Sequence, residues 1–417
     1  MGTAMPAAVR AVTASLSTSG PERMTRRSAQ CPCGSGRKFR KCHSAAREVD
    51  PRAADGPGTG ARAASPRQPS PEVLAAVRAH ERREGERLAQ FGHVRPVIHT
   101  EFAGQRLVAV GGRLYASPHW RTMPDFLLAF IKGKLPATWY HGELAKPLAQ
   151  RHPIAQWFWR YGEFRARHQT PGADGLCSGE PDGPSTAFLV LAYELYLLAD
   201  HQVLQDRLLR KLLTPDQFQG ARYEVTVAAA MIRAGFDLTM EDEDDPSSPH
   251  PEFVATHPAT GARVAVEAKS RHRPGVLGHP GPEAGIRDDL AHDVRRLFRA
   301  GVRKAGNGPL FLFIDANLPP GLAWERAGHF RDQFTRMVTE ESRTTDPSGA
   351  AVGHAHNLLM VTNDGWHYGD PGAPAPQPLF FSHAPLPAAC RHPVDHALIA
   401  AVERSLRQHG RIPTQFG

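Results

Sequence analysis

Three groups of residues have types and spacings that chemistry could use. In the first, Cys31 and Cys33 bring two thiols together, Gly34-Ser35-Gly36 reverses the chain, and Cys42-His43 returns a second pair. A closed set of thiolates and one imidazole is what tetrahedral Zn2+ prefers, and with four protein donors no coordination position remains for a substrate, so the expected role is structural. In the second, Glu267 and Lys269 stand two apart in an alternating run, Ala262 to Lys269. They therefore project from one face of a strand, while Val264, Val266 and Ala268 project from the other. A turn through Pro258 to Gly261 lays this strand beside Glu252 to Thr256, so Glu252 can approach Glu267. Two close carboxylates suit a hard divalent cation such as Mg2+, and the lysine beside them could orient a metal-bound water and help to deprotonate it. The third group lies on the next helix, where Arg296, Arg299 and Arg303 share a face at spacings of three and four. That face suits a phosphate backbone, though a solvated surface would read the same way. Cys177, in a loop with no neighbouring base suggested, is not expected to act as a nucleophile.

The elements that must position these groups are legible. A helix from Gln217, closed by Gly235, carries Glu224, and Phe236 to Met240 reads as a short strand. An acidic turn follows, in which Asp242, Asp244 or Asp245 could supply a further carboxylate; then comes the hairpin. Downstream, a helix from about Arg287 to Lys304, a strand Pro309 to Asp315, a helix near Trp324 to Glu341 and a strand Asn357 to Thr362 alternate. Upstream, Pro71 to Gln90 is helical, with Val73, Leu74, Val77 and Leu88 on one side. Alternating runs near Val94 to Thr100 and Gln105 to Tyr115 read as strands joined by Gly turns. Phe126 to Ile131, Ala145 to Gln150 and Ile154 to Tyr161 read as helices whose aromatics, including Trp157, Phe158, Trp159 and Tyr161, are expected to pack rather than to stack on bases. After a loop, Thr170 to Ser185, comes a strongly apolar helix, Ala187 to Ala199.

Charge is distributed unevenly along the 417 residues. Residues 1 to 70 hold 12 Lys and Arg against 4 Asp and Glu, which leaves 38 of each sign in the rest. The whole basic excess thus sits in the N-terminal arm, the kind of local concentration that phosphate binding needs. Residues 49 to 70 are a Pro, Gly, Ala and Ser mixture, expected to be a linker. No stretch approaches the roughly 20 apolar residues of a membrane-spanning helix, and the expected location is cytoplasmic, with no membrane contact. Met24 is a second candidate for the start of the chain.

Two resemblances follow from these residues. The segment Cys31 to His43 resembles the SEC-C motif in all four ligand positions and in its Gly-Ser-Gly turn. The resemblance implies a zinc module associated with protein or ribosome contacts. Pro251-Glu252 followed by Glu267-Ala268-Lys269, with Glu224 upstream, resembles the PD-(D/E)xK nuclease superfamily over roughly residues 206 to 365. This implies an α/β (α+β) restriction-endonuclease-like fold with a mixed sheet. It implies Glu224, Glu252, Glu267 and Ala268 as the holders of Mg2+ or Mn2+, and Glu224, Glu252, Glu267 and Lys269 as the catalytic set. Glu252 departs from the family's usual aspartate by one methylene. The expected organisation is a disordered N-terminus (1–27), a zinc knuckle (28–46), a linker (47–70), a mostly helical α+β domain (71–205), a nuclease-like domain (206–370) and a C-terminal loop and helix (371–417). The expected function is metal-dependent hydrolysis of phosphodiesters, of DNA rather than RNA by resemblance alone. The alternative is a zinc-tethered adaptor that binds protein, ribosomes or nucleic acid through an inactive nuclease-like fold.

Overall fold

The runs Leu310 to Asp315 and Leu358 to Asn363 are apolar almost without alternation, as expected of parallel strands covered on both faces, and every residue in both is buried. They form the middle of a six-stranded mixed sheet in a computed structural model. That model describes residues 70–416 apart from 242–249, 282–289, 305, 307, 320–326 and 342–352. Cys31, Cys33, Cys42 and His43, the linker and Asp242, Asp244 and Asp245 lie outside the described residues. By contacts the chain divides into a unit of Thr13–Glu81 and one that contains Arg82–Gly417.

The described elements run in the order α1 (Pro71–Phe91), β1 (Ile98–Phe102), β2 (Gln105–Val110), β3 (Arg113–Ser117), α2 (Met123–Lys134), α3 (Ala137–Ala145), α4 (Pro153–Arg167), α5 (Gly183–Asp200), α6 (Asp206–Leu213) and α7 (Phe218–Arg233). They continue with β4 (Asp237–Met240), β5 (Phe253–Thr256), β6 (Arg263–Ser270), α8 (Leu290–Val302), β7 (Leu310–Asp315), α9 (Ala327–Glu341), β8 (Leu358–Asn363), β9 (Leu379–His383) and α10 (His396–Arg407). β1, β2 and β3 make a small antiparallel sheet; the larger sheet has the order β4-β5-β6-β7-β8-β9. Within it β6, β7 and β8 are parallel, and the outer pairs are antiparallel. The chain is thus mixed α/β with a mixed six-stranded sheet.

Strand periodicity divides the core in two. Phe311, Phe313, Leu358 and Met360 join Val264, Val266 and Ala268 in one cluster, which also takes in α5, α7 and α10 and runs from Val94 to Phe416. Leu310, Leu312, Ile314, Leu359 and Val361 face the other way, onto Val294, Leu297 and Phe298 of α8 and Phe334, Met337 and Val338 of α9. The helices therefore cover both faces of the sheet. α8 sits close to it because residue 301 is glycine: a Cβ there would come within 2.5 Å of a Leu312 methyl.

α5 is the central helix, with every residue from Gly183 to Leu198 buried. Asp182 caps it by accepting from the Ser185 N–H at 3.0 Å, which satisfies one of the free donors of the first turn. The run Gln105 to Tyr115 folds back at Gly111-Gly112, both at positive φ, so the Gly turn foreseen there separates β2 from β3. Ala145 to Gln150 is not one helix. α3 ends at Ala145 and Pro147 leads into a single 3-10 turn, because proline cannot donate to the preceding turn. Three of the four aromatics expected to pack in α4 do so: Trp157 and Tyr161 are buried, and Phe158 lies against the core. Trp159 stays 44% exposed, with its indole N–H donating to Glu163 at 2.9 Å.

One layer of the interior is charged. Arg222 of α7 reaches Asp315 at 2.8 Å and Asp364 at 3.7 Å, and His409 lies between Asp364 (3.2 Å) and Glu194 of α5 (3.3 Å). Thr226 donates to Glu194 at 3.0 Å, and Ser270 donates to Asp315 at 3.3 Å. This network ties the helix layer to the carboxyl ends of β7 and β8. None of it was foreseen from the sequence.

Candidate functional site

Glu252 lies one residue before β5, and its backbone N–H donates both to the Val266 carbonyl (3.1 Å) and to Oε2 of Glu267 (3.2 Å). The hairpin therefore brings the two glutamates together, as strand pairing requires. Lys269 Nζ lies 3.4 Å from Glu252 Oε1 and closer still to Glu267 Oε1. A second ammonium, that of Lys304 just beyond the end of α8, reaches the same two oxygens at 3.6 and 3.1 Å. Two carboxylate oxygens thus converge on two shared cations.

The electrostatics follow from burial. Glu267 is fully buried, and this, with the neighbouring Glu252 carboxylate, raises its pKa above the usual glutamate value despite the two lysines. Burial acts against the Lys269 ammonium as well, but Glu267 and Glu252 outweigh it and hold its pKa above the ordinary lysine value. Lys269 is therefore a proton-holding cation at neutral pH.

This cluster borders an open cleft of about 800 Å³. Glu252, Ala268 and Lys269 form one side; Glu224 of α7 and Arg207, Arg210 and Lys211 of α6 form another, and Arg296 of α8 also lines it. β5 stops opposite Val266, so the Ala268 carbonyl, projecting from the same strand edge as that of Val266, has no strand across from it among the described residues. Glu224 shares the cleft but is not part of the carboxylate pair. Lys211 Nζ holds it at 3.3 to 3.4 Å.

The expected arginine face divides. Arg296 lines the cleft, whereas Arg299 is engaged in a two-pronged pair with Glu341 of α9 at 2.9 and 2.8 Å, and Arg303 is exposed. Two basic features of the cleft were passed over in the sequence. Lys304 is marked in the sequence only as the end of the helix from about Arg287. Arg207, Arg210 and Lys211 stand at spacings of three and four in Asp206 to Leu213, a legible basic helix face.

Whether the carboxylates suit a hard cation can be judged from their oxygens. Glu252 Oε1 and Glu267 Oε1 already face the same ammonium groups at distances of 3.1 to 3.6 Å, so they point at a common position, and all the donors are oxygen. The pair fits a divalent ion as two ligands. Glu224 would have to leave Lys211 to become a third. Among the described residues no three or more His, Cys, Asp or Glu side chains are preassembled around one ion.

Residues 27–45 match the family model of the SEC-C motif. No curated protein and no solved structure matches the chain. The SEC-C segment accounts for the N-terminal Cys and His residues and leaves the sheet and its cleft to be read from their own geometry. Among the described residues no helix is long and apolar enough to cross a membrane.

Proposed function

We propose that this protein is a metal-dependent phosphodiesterase acting on nucleic acid, DNA by preference, with its reaction centre at Glu252, Glu267 and Lys269. The observation that carries this reading is the convergence of the two carboxylates, with a half-buried lysine beside them, at the wall of a cleft lined by Arg207, Arg210, Lys211 and Arg296. The basic side chains would hold the phosphate backbone and release its condensed counterions. Glu252 and Glu267, with the Ala268 carbonyl and Glu224 if it parts from Lys211, would hold Mg2+ or Mn2+. When bound, that ion would lower the pKa of a coordinated water and offset charge on the phosphate. Lys269, because it keeps its proton, is placed to stabilise the negative charge that develops on the phosphate oxygens rather than to act as a base. The order of helix, hairpin, helix and strand around these residues is the arrangement that the resemblance to the PD-(D/E)xK superfamily leads one to expect. Cys31, Cys33, Cys42 and His43 of the SEC-C segment would hold a structural Zn2+ on the basic arm, for contact with nucleic acid, protein or the ribosome.

Purified protein should nick plasmid DNA with Mg2+ or Mn2+ and not with chelator. Full activity in Glu267→Ala or Lys269→Ala would reject the assignment. One observation favours the adaptor reading: Lys269 and Lys304 together balance both carboxylates, so the cluster is neutral without a metal. An adaptor would bind nucleic acid or protein but take up no divalent ion at Glu252 and Glu267.

A further inference from the structure

Away from the cleft, at the β8–β9 edge of the sheet, three histidines meet. His354 and His356 precede β8, and His383 ends β9. Their ring centroids form a near-equilateral triangle of 5.5 Å (His354 to His356), 5.9 Å (His354 to His383) and 5.4 Å (His356 to His383). His356 Nε2 and His383 Nδ1 lie 3.2 Å apart. His356 is 1% exposed and fixed edge-on against Phe298 of α8. Cys390 borders the triangle: its backbone forms an isolated parallel bridge with His354, and its thiol lies 3.7 Å from the His356 carbonyl oxygen. The two segments approach closely because residue 353 is glycine; a Cβ there would lie 2.9 Å from the Ala389 carbonyl oxygen.

These distances are those of a coordination shell. A tetrahedral ion with nitrogen ligands at 2.0 to 2.1 Å places its ligand nitrogens about 3.3 Å apart and the imidazole centroids about 5 Å apart. As the side chains are placed, no three or more His, Cys, Asp or Glu among the described residues, these four included, surround one ion. A half-turn of an imidazole about its Cβ–Cγ bond, however, exchanges ring carbons for nitrogens without moving the ring, so the centroid triangle leaves room for nitrogens to turn inward on one ion. Burial, foremost, lowers the pKa of all three rings, that of His356 to about 3, which keeps them in the neutral form that binds metal. The competing account is a hydrogen-bonded histidine cluster in which His356 and His383 share one N–H across 3.2 Å; a cobalt titration separates the two.

We propose that His354, His356 and His383, with Cys390 as fourth donor, bind Zn2+ or another divalent ion that prefers nitrogen and sulfur, and that the ion fastens β9 and the turn after it to the head of β8. The donor set disfavours Mg2+ and Ca2+. The site is separate in residues from both the SEC-C cysteines and the carboxylate pair, and it does not depend on the nuclease reading.

The test uses the untagged full chain carrying Cys31→Ser, Cys33→Ser and Cys42→Ser, which removes the three SEC-C thiolates and leaves residues 82–417 unaltered. Titrated with Co2+, this variant should take up one equivalent with tetrahedral d–d bands and a single thiolate charge-transfer band. Adding Cys390→Ser should remove the charge-transfer band, and adding His383→Asn should weaken binding at least tenfold. Zn2+ should displace the cobalt and raise the melting temperature. A variant that is folded by circular dichroism yet takes up no cobalt overturns the proposal. So does cobalt binding that His383→Asn and Cys390→Ser leave intact, because the metal would then sit elsewhere.

Discussion

Two regions of this protein bury carboxylates beside cations, and they do so differently. In the interior network, Arg222, Asp315, Asp364, His409 and Glu194 hold one another from helices and strand ends, and each of these side chains is nine-tenths or more buried. At the sheet's hairpin, Glu252 and Glu267 are equally buried, but their cations are lysines that reach in from a cleft, Lys269 at 22% and Lys304 at 34% side-chain exposure. A planar guanidinium with fixed donors makes a permanent tie, whereas an ammonium on a four-carbon stem is a replaceable cation. The first arrangement reads as structure, the second as a site whose cation can be exchanged.

The largest expected effect attacks the closed network. Arg222→Met leaves Asp315 buried without its guanidinium partner and should cost about 3 to 5 kcal/mol in urea unfolding. A loss under about 1 kcal/mol would erase the contrast. Lys269→Met is the complementary change: plasmid nicking should fall at least about 100-fold while unfolding changes by no more than about 1 kcal/mol. If Lys269→Met proved as destabilising as Arg222→Met, the cleft cluster would be another structural tie.

Acid sharpens the comparison, because buried neutral histidines are a separate source of acid lability. Burial lowers the pKa of His152, packed between Trp139 and Phe218, to about 4. Its folded pKa lies below the unfolded value near 6.5, so the unfolded chain binds the proton first, and stability falls as pH drops from about 6.5 toward 4. His152→Asn, which keeps a side-chain acceptor for the Ile154 N–H, should flatten that loss by on the order of 2 kcal/mol in pH-dependent unfolding. An unchanged slope would assign the acid sensitivity elsewhere. The smallest effect is expected from Lys304→Gln. It removes a cation that shares the carboxylate oxygens, so the Mn2+ concentration giving half-maximal nicking should drop several-fold. An increase would mean that Lys304 helps to hold the site open for metal.

Local pattern made much of the cleft legible. The two-residue spacing of Glu267 and Lys269, the turn at Pro258 to Gly261 and the apolar runs of β7 and β8 place the hairpin and the parallel strands without further information. The helix carrying Glu224 was equally readable, but its pairing with Lys211 was not. Lys211 lies on α6, and nothing in an amphipathic eight-residue stretch says which helix it faces. Lys304 was invisible for a similar reason. A lysine after the last turn of a helix looks solvated until the crossover from β6 to β7 brings it over Glu267 of β6 and the adjoining Glu252.

The sequence by itself determined the hairpin, the helix that carries Glu224, the apolar runs of β7 and β8, which face of β6 carries Glu267 and Lys269, and that residues 27–45 match the SEC-C motif, because each rests on periodicity or spacing within a few residues. Only the tertiary structure decided how charges pair. Arg222 meets Asp315 across 93 positions, His409 meets Glu194 across more than 200, and His356 meets His383 at an edge that β9 completes. Such pairings depend on which elements the core packs together, and packing driven by apolar burial is non-directional and leaves no local mark on the polar residues it brings into contact.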